Sequence, residues 1–345
     1  MAQATQISWT DLSWNPVHGC SKVGPGCAHC YAETLSRRYH HTPKPWTPAN
    51  ASENVLLKPH KLGEPLSNAK DWRGLGAAAA AAGKTDGKLV FVNSMSDLFH
   101  EQVPAEFIAD VFAVMILARR HTFQILTKRA ERQCELLNDH AFWWEVMHAM
   151  GERSGQPVSL MSVGLPRFKR IWLGVSIENR RYVHRADLLR QTPAAVRFIS
   201  AEPLLGPLIG PETFNVETGR GLREVRGWPG DVEGAYRPSL DLTNIDWLIV
   251  GGESGKGHRP MDLQWARYLH EACACADCHG EGEREEGISQ DSFGNWDTRT
   301  VRCGICEDGM STAFFLKQLG GARPDTPWDE IPEDLRVREF PTVAA

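Results

Sequence analysis

Three cysteines on one short loop are the residues of this chain best suited to chemistry. Cys20, Cys27 and Cys30 have the spacing C-x6-C-x2-C, and glycine and proline are frequent around them. Three thiolates on one loop suit a [4Fe–4S] cluster in which one iron is left open. An open iron can bind a substrate or a cofactor, so the spacing predicts a reactive cluster. The alternative is a structural zinc site that takes its fourth ligand from His18 or His29.

A second group of cysteines lies in the last third of the chain. Cys275 and Cys278 form one C-x2-C pair, and Cys303 and Cys306 form another. Two such pairs predict a tetrahedral zinc ion held by four thiolates, and an auxiliary iron–sulfur cluster is the alternative. The segment between them is polar and rich in glycine, so it cannot build its own core and would need the metal to fold. Residues 273–306 are therefore predicted to be a metal-binding insertion.

Composition limits the kind of protein and its compartment. The chain has 345 residues, a formal net charge of -5 and nine cysteines. The net charge gives no overall basic field, although a local basic face stays open. No signal peptide and no apolar run long enough to cross a bilayer are recognisable, so no membrane partner is expected. Cysteines in such a chain favour metal ligation over disulfides, which predicts a reducing, cytoplasmic setting. The oligomeric state is not indicated.

Short apolar runs alternate with helical patterns along most of the chain. This alternation predicts an α/β fold with a parallel sheet and crossover helices. Polar residues follow the strands, which is where a (β/α) barrel places its site. A partial barrel is predicted for residues 1–272 and 307–345, with 206–243 as a loop insertion. The predicted strands are 89–92, 122–126, 171–175, 196–199, 247–250 and 312–316, and the clearest helices are 104–120, 129–138, 180–190 and 262–273.

Several phrases of the sequence resemble a known family. Trp14-Asn15-Pro16, Ser200-Ala201-Glu202-Pro203 and Gly251-Gly252-Glu253-Ser254-Gly255 occur in the order found in a three-cysteine-motif family common in phages and prophages, whose domain has no assigned function. The cysteine loop resembles that of radical S-adenosylmethionine enzymes, with a longer first spacing and with His29 where an aromatic residue is usual. The resemblance implies a TIM-like partial barrel of the radical S-adenosylmethionine type. It also implies that three cysteines hold three irons and that the methionine part of S-adenosylmethionine chelates the fourth.

Under this resemblance the strand ends supply the cofactor-binding candidates. Amides, hydroxyls and carboxylates are needed to bind the methionine and ribose groups, and glycines would allow a close approach to the adenine or the sulfonium. The opposing interpretations are that the glycines form a turn, that the carboxylates cap helices, and that Lys128 begins a solvated helix. The candidates are Asn93, Ser94 and Asp97 for the methionine end, Ser176 and Glu178 for the ribose, Gly251 and Gly252 for the adenine, and Glu202, Glu253 and Lys128 for substrate or catalysis.

The predicted activity is reductive cleavage of S-adenosylmethionine followed by abstraction of a hydrogen atom. A reductant protein is then an expected partner, and the zinc pairs favour a nucleobase or a nucleic acid as substrate. The alternative, from another class, is a non-catalytic, zinc-dependent nucleic-acid-binding or phage-defence protein whose cysteine groups are structural. Anaerobic reconstitution with iron and sulfide distinguishes the two hypotheses, because only the first predicts a brown protein.

Overall fold

The structure of this chain is a computed structural model, and it describes most of the sequence. The described residues are 3–5, 7–155, 168–210, 212–218, 221–227, 239–274, 283–290, 296–302, 312–322 and 326–341. Cys275, Cys278, Cys303 and Cys306 lie outside these residues, so the predicted zinc site stays a prediction. Within the described residues, no helix is both long and apolar enough to cross a membrane.

One mixed α/β sheet organises the chain. The strands are β1 (Gln3–Ala4), β2 (Leu12–Trp14), β3 (Val17–His18), β4 (Leu56–Leu57), β5 (Leu89–Val92), β6 (Thr122–Thr127), β7 (Ile171–Ser176), β8 (Val196–Ala201), β9 (Glu212–Thr218), β10 (Gly221–Gly227), β11 (Trp247–Gly251), β12 (Glu283–Gln290), β13 (Trp296–Arg302) and β14 (Ala313–Gln318). The main sheet has the order β1-β2-β5-β6-β7-β8-β11-β14. All its neighbours are parallel except β1, which is antiparallel to β2.

The helices connect these strands much as the sequence predicts. They are α1 (Tyr31–Arg38), α2 (Ala51–Asn54), α3 (Ala77–Ala81), α4 (Ala105–Leu117), α5 (Ala130–Asn138), α6 (His140–Ser154), α7 (His184–Gln191) and α8 (Leu263–Ala272). The predicted helices 104–120, 129–138 and 262–273 match α4, α5 and α8 closely, and 180–190 matches a short 3-10 turn followed by α7. The parallel sheet with crossover helices is thereby confirmed.

The sheet is curled, as the ring contacts of Trp9 show. The centroid of the Trp9 ring is 4.8 Å from that of Phe91 on β5 and 6.1 Å from that of Trp247 on β11. The Phe91 and Trp247 rings are therefore no more than about 11 Å apart, although four strand spacings in a flat sheet would separate them by about 19 Å. The seven parallel strands thus form a half-barrel that is compatible with a partial TIM-like fold.

Both faces of the half-barrel are apolar. Alternate side chains along a strand point to opposite faces, so each strand serves two cores. Leu89, Phe91, Trp172, Phe198 and Trp247 fill the concave side around Trp9. The residues next to them in sequence belong to the larger core, which includes the buried side chains of α4. Burial on both sides explains why these strands appear in the sequence as continuous apolar runs.

The outer strands of the parallel half-barrel are β2 and β14, and both have a further backbone partner. The short β1 pairs with β2. On the opposite side, the amide of Leu316 on β14 donates to the carbonyl of Val337 over 2.9 Å, and the amide of Glu339 donates to the carbonyl of Phe314 over 2.9 Å. The segment after the last strand therefore runs along the edge of β14.

The two predicted insertions each contain an antiparallel hairpin. β9 and β10 pair within the predicted loop insertion 206–243. β12 and β13 pair within residues 273–306, between the two cysteine pairs. Turn-rich, charged sequence predicts a loop, but two short strands can satisfy each other's backbone groups without an apolar face.

Candidate functional site

A cleft of about 1600 Å³ opens at the carboxyl ends of the parallel strands. Every parallel strand of the half-barrel sends residues into its wall, because all the strands point the same way. The wall includes Asn15 after β2, Asn93 after β5, Lys128 after β6, Ser176 on β7, Glu202 after β8, Glu253 after β11 and Lys317 on β14. Cys20, Cys27 and Cys30 line the same cleft. The predicted meeting of the cysteine loop with the strand ends is thus present.

The cysteine loop is tied to the strand ends at several points. The amide of Gly19 donates to the carbonyl of Met95 over 3.1 Å. The Tyr31 hydroxyl donates to the carbonyl of Ser94 over 2.7 Å. On the far side of the loop, Arg259 Nη2 donates to the carbonyl of Pro25 over 3.0 Å. The loop is therefore held from both β5 and the segment after β11.

Arg129 is the cation closest to the first cysteine of the motif. Its Nη1 lies 3.6 Å from Cys20 Sγ and 3.1 Å from a carboxylate oxygen of Asp97. Its Nη2 donates to the hydroxyl of Ser21 over 3.1 Å, and its Nε is 2.9 Å from Glu101 Oε1. Burial opposes the charge, but Asp97, Cys20 and Glu101 together raise the pKa of this guanidinium. The Arg129 side chain is only 5% exposed, so Arg129 itself is not a solvated residue at the start of α5.

Lys128 is a second cation beside the loop, and its side chain is partly buried. Its ammonium group is paired with Glu178 Oε1 and also contacts the hydroxyl of Ser176. Arg185 Nη1 lies 3.3 Å from the other oxygen of Glu178. Burial opposes its charge, but Glu178 and the nearby Cys27 raise the pKa of Lys128. Lys128 follows β6, whereas Ser176 and Glu178 lie at the end of β7, and the three side chains form one hydrogen-bonded group.

Gly26 fixes how closely the cysteine loop approaches this group. A Cβ on Gly26 would lie 2.5 Å from Cγ of Glu178. Glu178 is fully buried and is held by Lys128 and Arg185, so it cannot move aside. The absence of a side chain at Gly26 therefore allows Cys27 to lie against the strand ends.

Glu253 joins the loop to the end of β11. One of its carboxylate oxygens lies 3.0 Å from Nδ1 of His29. The same oxygen accepts from the amide and from Nε of Arg259, each over 2.9 Å. Burial opposes ionisation, but the hydrogen bonds from Arg259 and His29 lower the pKa of Glu253 to about 2. This carboxylate is therefore charged and is engaged by the protein.

The three thiols of the motif are free and influence one another. None is in a disulfide. Burial raises the pKa of Cys20 to about 12 and also raises that of Cys30, and the neighbouring Cys27 acts in the same direction on both. Among the residues that the structure describes, no three His, Cys, Asp or Glu side chains converge as ligands of a single metal ion. Each thiolate of a cubane binds a different iron, so its ligands surround the cluster without meeting at one ion.

Asn93 and Asp97, two of the predicted methionine-binding residues, differ in how far the protein satisfies their hydrogen-bonding groups. The Asn93 amide oxygen accepts from the amide of Val17 over 3.2 Å, whereas its buried Nδ2 has no partner. Asn93 therefore retains a hydrogen-bond donor at the cleft wall. Asp97 instead accepts from Thr127 Oγ1 over 2.7 Å and from Lys128 N over 3.1 Å, as well as from Arg129. These contacts indicate that Asp97 positions Arg129.

The predicted glycines and Glu202 have packing partners of their own. A Cβ on Gly252 would lie 2.1 Å from the carbonyl oxygen of Leu319, so close backbone packing alone requires glycine there. A Cβ on Gly251 would lie 3.3 Å from Glu202. Glu202 Oε1 in turn lies 2.6 Å from Nζ of Lys317. Glu202 and Gly252 both line the cleft.

Sequence reasoning missed several residues that shape this site. Arg259 and Lys317 neutralise the two predicted glutamates, and Tyr31 anchors the start of α1. Arg259 lies in an irregular segment, and Lys317 lies in a strand, where neither periodicity nor motif spacing marks it. Only Tyr31, directly after Cys30, has a position that could have indicated its role.

A protein-family model described as Protein of unknown function (DUF5131) matches residues 4–279. The chain belongs to this family. The match includes the cysteine loop, the half-barrel strands up to β11 and the helix that follows them. No curated protein and no solved structure is significantly similar to the chain. Membership of the DUF5131 family therefore brings no activity with it, and the function has to be argued from the site.

Proposed function

We propose that this chain is an iron–sulfur enzyme of the radical S-adenosylmethionine type. The observation that supports it most is the presence of three free thiols, Cys20, Cys27 and Cys30, in one cleft at the carboxyl ends of a curled parallel sheet. Enzymes built on such sheets place their sites at this end of the strands. In this proposal the three thiolates hold a [4Fe–4S] cluster and leave one iron for the cofactor.

The charges around the loop fit a thiolate-ligated cluster. Thiols must lose their protons to bind iron, and burial makes that loss costly at Cys20 and Cys30. The buried Arg129 beside Cys20 and the partly buried Lys128 near Cys27 are cations that would stabilise the anionic ligands. These residues therefore have the charge and the position that the cluster would need.

The cleft also has groups that suit S-adenosylmethionine. When bound, the reduced cluster and this cofactor supply a 5′-deoxyadenosyl radical, which abstracts hydrogen from a substrate. The unpaired Asn93 amide nitrogen can donate to the methionine carboxylate, and the Ser176 hydroxyl at the cleft wall can bind a ribose hydroxyl. Glu178, in contrast, is fully buried and is held by Lys128 and Arg185, so it can act on the ribose only through Ser176 and Lys128. The role of the protein is to orient these groups and to exclude water. Glu202, Glu253 and Lys128 remain proposed substrate or catalytic residues.

The proposal extends to partners and compartment. Cluster reduction calls for a reductant protein, and the thiols call for a reducing setting such as the cytoplasm. We propose a nucleobase or a nucleic acid as the substrate. Cys275, Cys278, Cys303 and Cys306 would hold zinc, or an auxiliary iron–sulfur cluster, in a separate site.

Anaerobic reconstitution with iron and sulfide tests the proposed activity. The wild-type protein should turn brown, bind S-adenosylmethionine and, once reduced, release 5′-deoxyadenosine slowly even without substrate. The Cys27→Ala variant should release none, whereas Cys134→Ala, which changes a cysteine on α5 outside the motif, should behave as wild type. A colourless wild-type protein that holds two zinc ions and releases no 5′-deoxyadenosine would instead favour the zinc-dependent nucleic-acid binder.

A further inference from the structure

A basic strip leads away from the mouth of the cleft along the surface. Arg37 and Arg38, at the end of α1, line the cleft and are exposed. The Arg38 guanidinium carbon lies 5.7 Å from the centre of the Tyr39 ring, and that ring lies 6.0 Å from the His41 ring. The His41 ring is 5.5 Å from the His18 ring. These contacts connect the cleft to the region of β3.

The strip continues beyond His18 to a group of further bases. β3, which carries His18, pairs with β4, and the amide of Lys58 donates to the carbonyl of Pro16 over 2.7 Å. Lys58, His60 and Lys61 follow β4 directly, so they lie on the same part of the surface as His18. In the part of the chain described, Arg37, Arg38, Lys58 and Lys61 form no ion pair with an acidic side chain. Four unpaired cations in one strip contrast with a chain whose net charge is -5.

Two acidic side chains close to these bases in sequence, Glu33 and Glu53, are already paired with lysines. Glu33 on α1 is 2.9 Å from Lys22, and its other oxygen accepts from the amide of Trp46. Glu53 is 2.6 Å from Lys44. The charge that remains to attract a ligand along the strip is therefore positive, and a polyanion is the complementary partner.

Exposed aromatic rings narrow the choice of polyanion. Tyr39, within the strip, is 58% exposed, and Tyr31, at the cleft, is 50% exposed. The Tyr31 hydroxyl is held by Ser94, so its ring is fixed in place. A basic path with exposed rings is how proteins bind single-stranded nucleic acid, whose unpaired bases stack on aromatic faces. A duplex hides those faces, and a sulfated sugar polymer has none.

We infer that the strip formed by Arg37, Arg38, Tyr39, His41, Lys58, His60 and Lys61 binds the backbone of single-stranded nucleic acid and directs a nucleotide into the cysteine-lined cleft. As regards the cleft, this inference rests on the proposed function, since it names the class of substrate that the site receives. The strip itself makes a separate, measurable claim about binding.

Fluorescence anisotropy with the full-length protein and labelled single-stranded oligonucleotides, one of DNA and one of RNA with the same sequence, tests the inference. We expect the logarithm of the binding constant to fall with the logarithm of the salt concentration with a slope of about -3. The reason is that four cations, each contacting one phosphate, contribute about -0.7 each. The Arg38→Ala variant should make this slope shallower by about 0.7, the contribution of one phosphate contact. The Tyr39→Ala variant should bind about tenfold more weakly. Tyr39→Phe should bind like wild type, because it keeps the ring.

The Arg119→Ala variant is the matched control. Arg119 is exposed and shortly precedes β6, at the end of the sheet opposite the cleft, so the same loss of charge should leave binding unchanged. Circular dichroism would confirm that each variant is folded. Wild-type protein that binds neither oligonucleotide at low salt, or Arg38→Ala and Arg119→Ala variants that lose affinity equally, would overturn the inference. Equal binding of heparin together with an unaffected Tyr39→Ala variant would also overturn it.

The two proposals fail in different ways. Oligonucleotide binding does not need the cluster, and it can be measured on the protein before and after reconstitution. A protein that binds single strands but yields no 5′-deoxyadenosine would contradict the proposed activity and leave the strip intact. A protein that cleaves S-adenosylmethionine but binds no oligonucleotide would contradict the inference alone.

Discussion

Nδ1 of His29 lies 3.0 Å from a carboxylate oxygen of Glu253, so the residue between two cysteines of the motif is attached to the segment directly after β11. Arg259 completes the arrangement by contacting both Glu253 and the carbonyl of Pro25. The cysteine loop is thus positioned by charged groups that come from a distant part of the chain. Both the stability of the protein and its capacity to bind iron should depend on such contacts.

The Glu253→Gln variant should have a free energy of unfolding that depends less on pH in the acid range. The pKa of Glu253 falls from its usual 4.5 to about 2 in the folded protein, and the side chain is 4% exposed. A lowered pKa contributes stability that is present above pH 4.5 and is lost as the pH falls towards 2. The variant should therefore be about 3 kcal/mol less stable at neutral pH, and this difference should shrink below pH 4.5. Urea denaturation at several pH values measures it.

The Glu53→Gln variant is the control for this measurement. Glu53 forms an exposed pair with Lys44, and such pairs contribute little. A Glu253→Gln deficit that stays constant throughout the acid range would show that its ionisation is not linked to folding.

Gly26→Ala should impair iron binding while leaving most of the fold intact. The new Cβ would lie 2.5 Å from Cγ of Glu178, so the loop carrying Cys27 must shift. We expect less iron per chain after reconstitution, measured colorimetrically. Gly63→Ala is the matched control, because no atom lies within 4 Å of the position that its Cβ would take and its φ of -76° suits alanine. Equal iron contents in the two variants would contradict the argument.

Arg129→Gln should destabilise the protein strongly. Removing the guanidinium leaves the carboxylate of Asp97 buried without its cation, which typically costs about 3–5 kcal/mol. The free energy of unfolding, measured by urea denaturation, gives the result directly. Arg119→Gln removes an exposed cation and should change stability by less than about 0.5 kcal/mol. A similar small effect for both variants would mean that Asp97 does not depend on Arg129.

The pair formed by Lys128 and Glu178 should show coupling in a double-mutant cycle. The single changes are Lys128→Met and Glu178→Gln, and we expect a coupling energy of about 1–3 kcal/mol at neutral pH. The pKa of Lys128 is raised above its usual 10.5, so the stabilisation is complete below that pH and is lost only as the pH rises through the higher folded value. Coupling near zero at neutral pH would exclude a stabilising ion pair.

Cys303→Ser should remove one zinc ion per chain and make the insertion sensitive to protease. In the proposed zinc site, four thiolates would supply the folding energy of a segment that is predicted to have no core of its own. Elemental analysis and limited proteolysis measure the two effects. Cys134→Ser is the control, since this cysteine lies on α5 and contacts Asn138. Iron bound at this site, or an unchanged digestion pattern, would count against structural zinc.

Much of the sheet could be predicted from sequence because its strands are buried on both faces. Runs such as Leu89–Val92 and Trp247–Gly251 are continuously apolar, and that pattern is local. The run of alanines at Ala77–Ala81 is harder to interpret, because its composition predicts only a flexible or weakly helical linker. It forms a helix because the Asp11 carboxylate accepts from the amides of Ala78 and Ala79 over 2.8 and 3.2 Å. That contact depends on residues far apart in sequence.

The candidate site shows the same division. The cysteines and the polar strand ends could be predicted because the direction of a parallel sheet brings them to one end. The engagement of Asp97 and Glu253 by arginines could not, because it depends on which long side chains reach the cleft. The sequence identified the groups that could bind a ligand. Only the structure shows which of these groups already form hydrogen bonds or ion pairs with other residues of the chain.

The open half-barrel has two outer strands, and in both the backbone on the outer side is partly covered. An uncovered strand edge is a template for pairing with other chains, which leads to aggregation. Here β1 is only two residues long, and the segment containing Val337 and Glu339 hydrogen-bonds along β14. The molecule can therefore leave its barrel unclosed, and keep a wide cleft, without presenting long bare edges to its neighbours in a crowded solution.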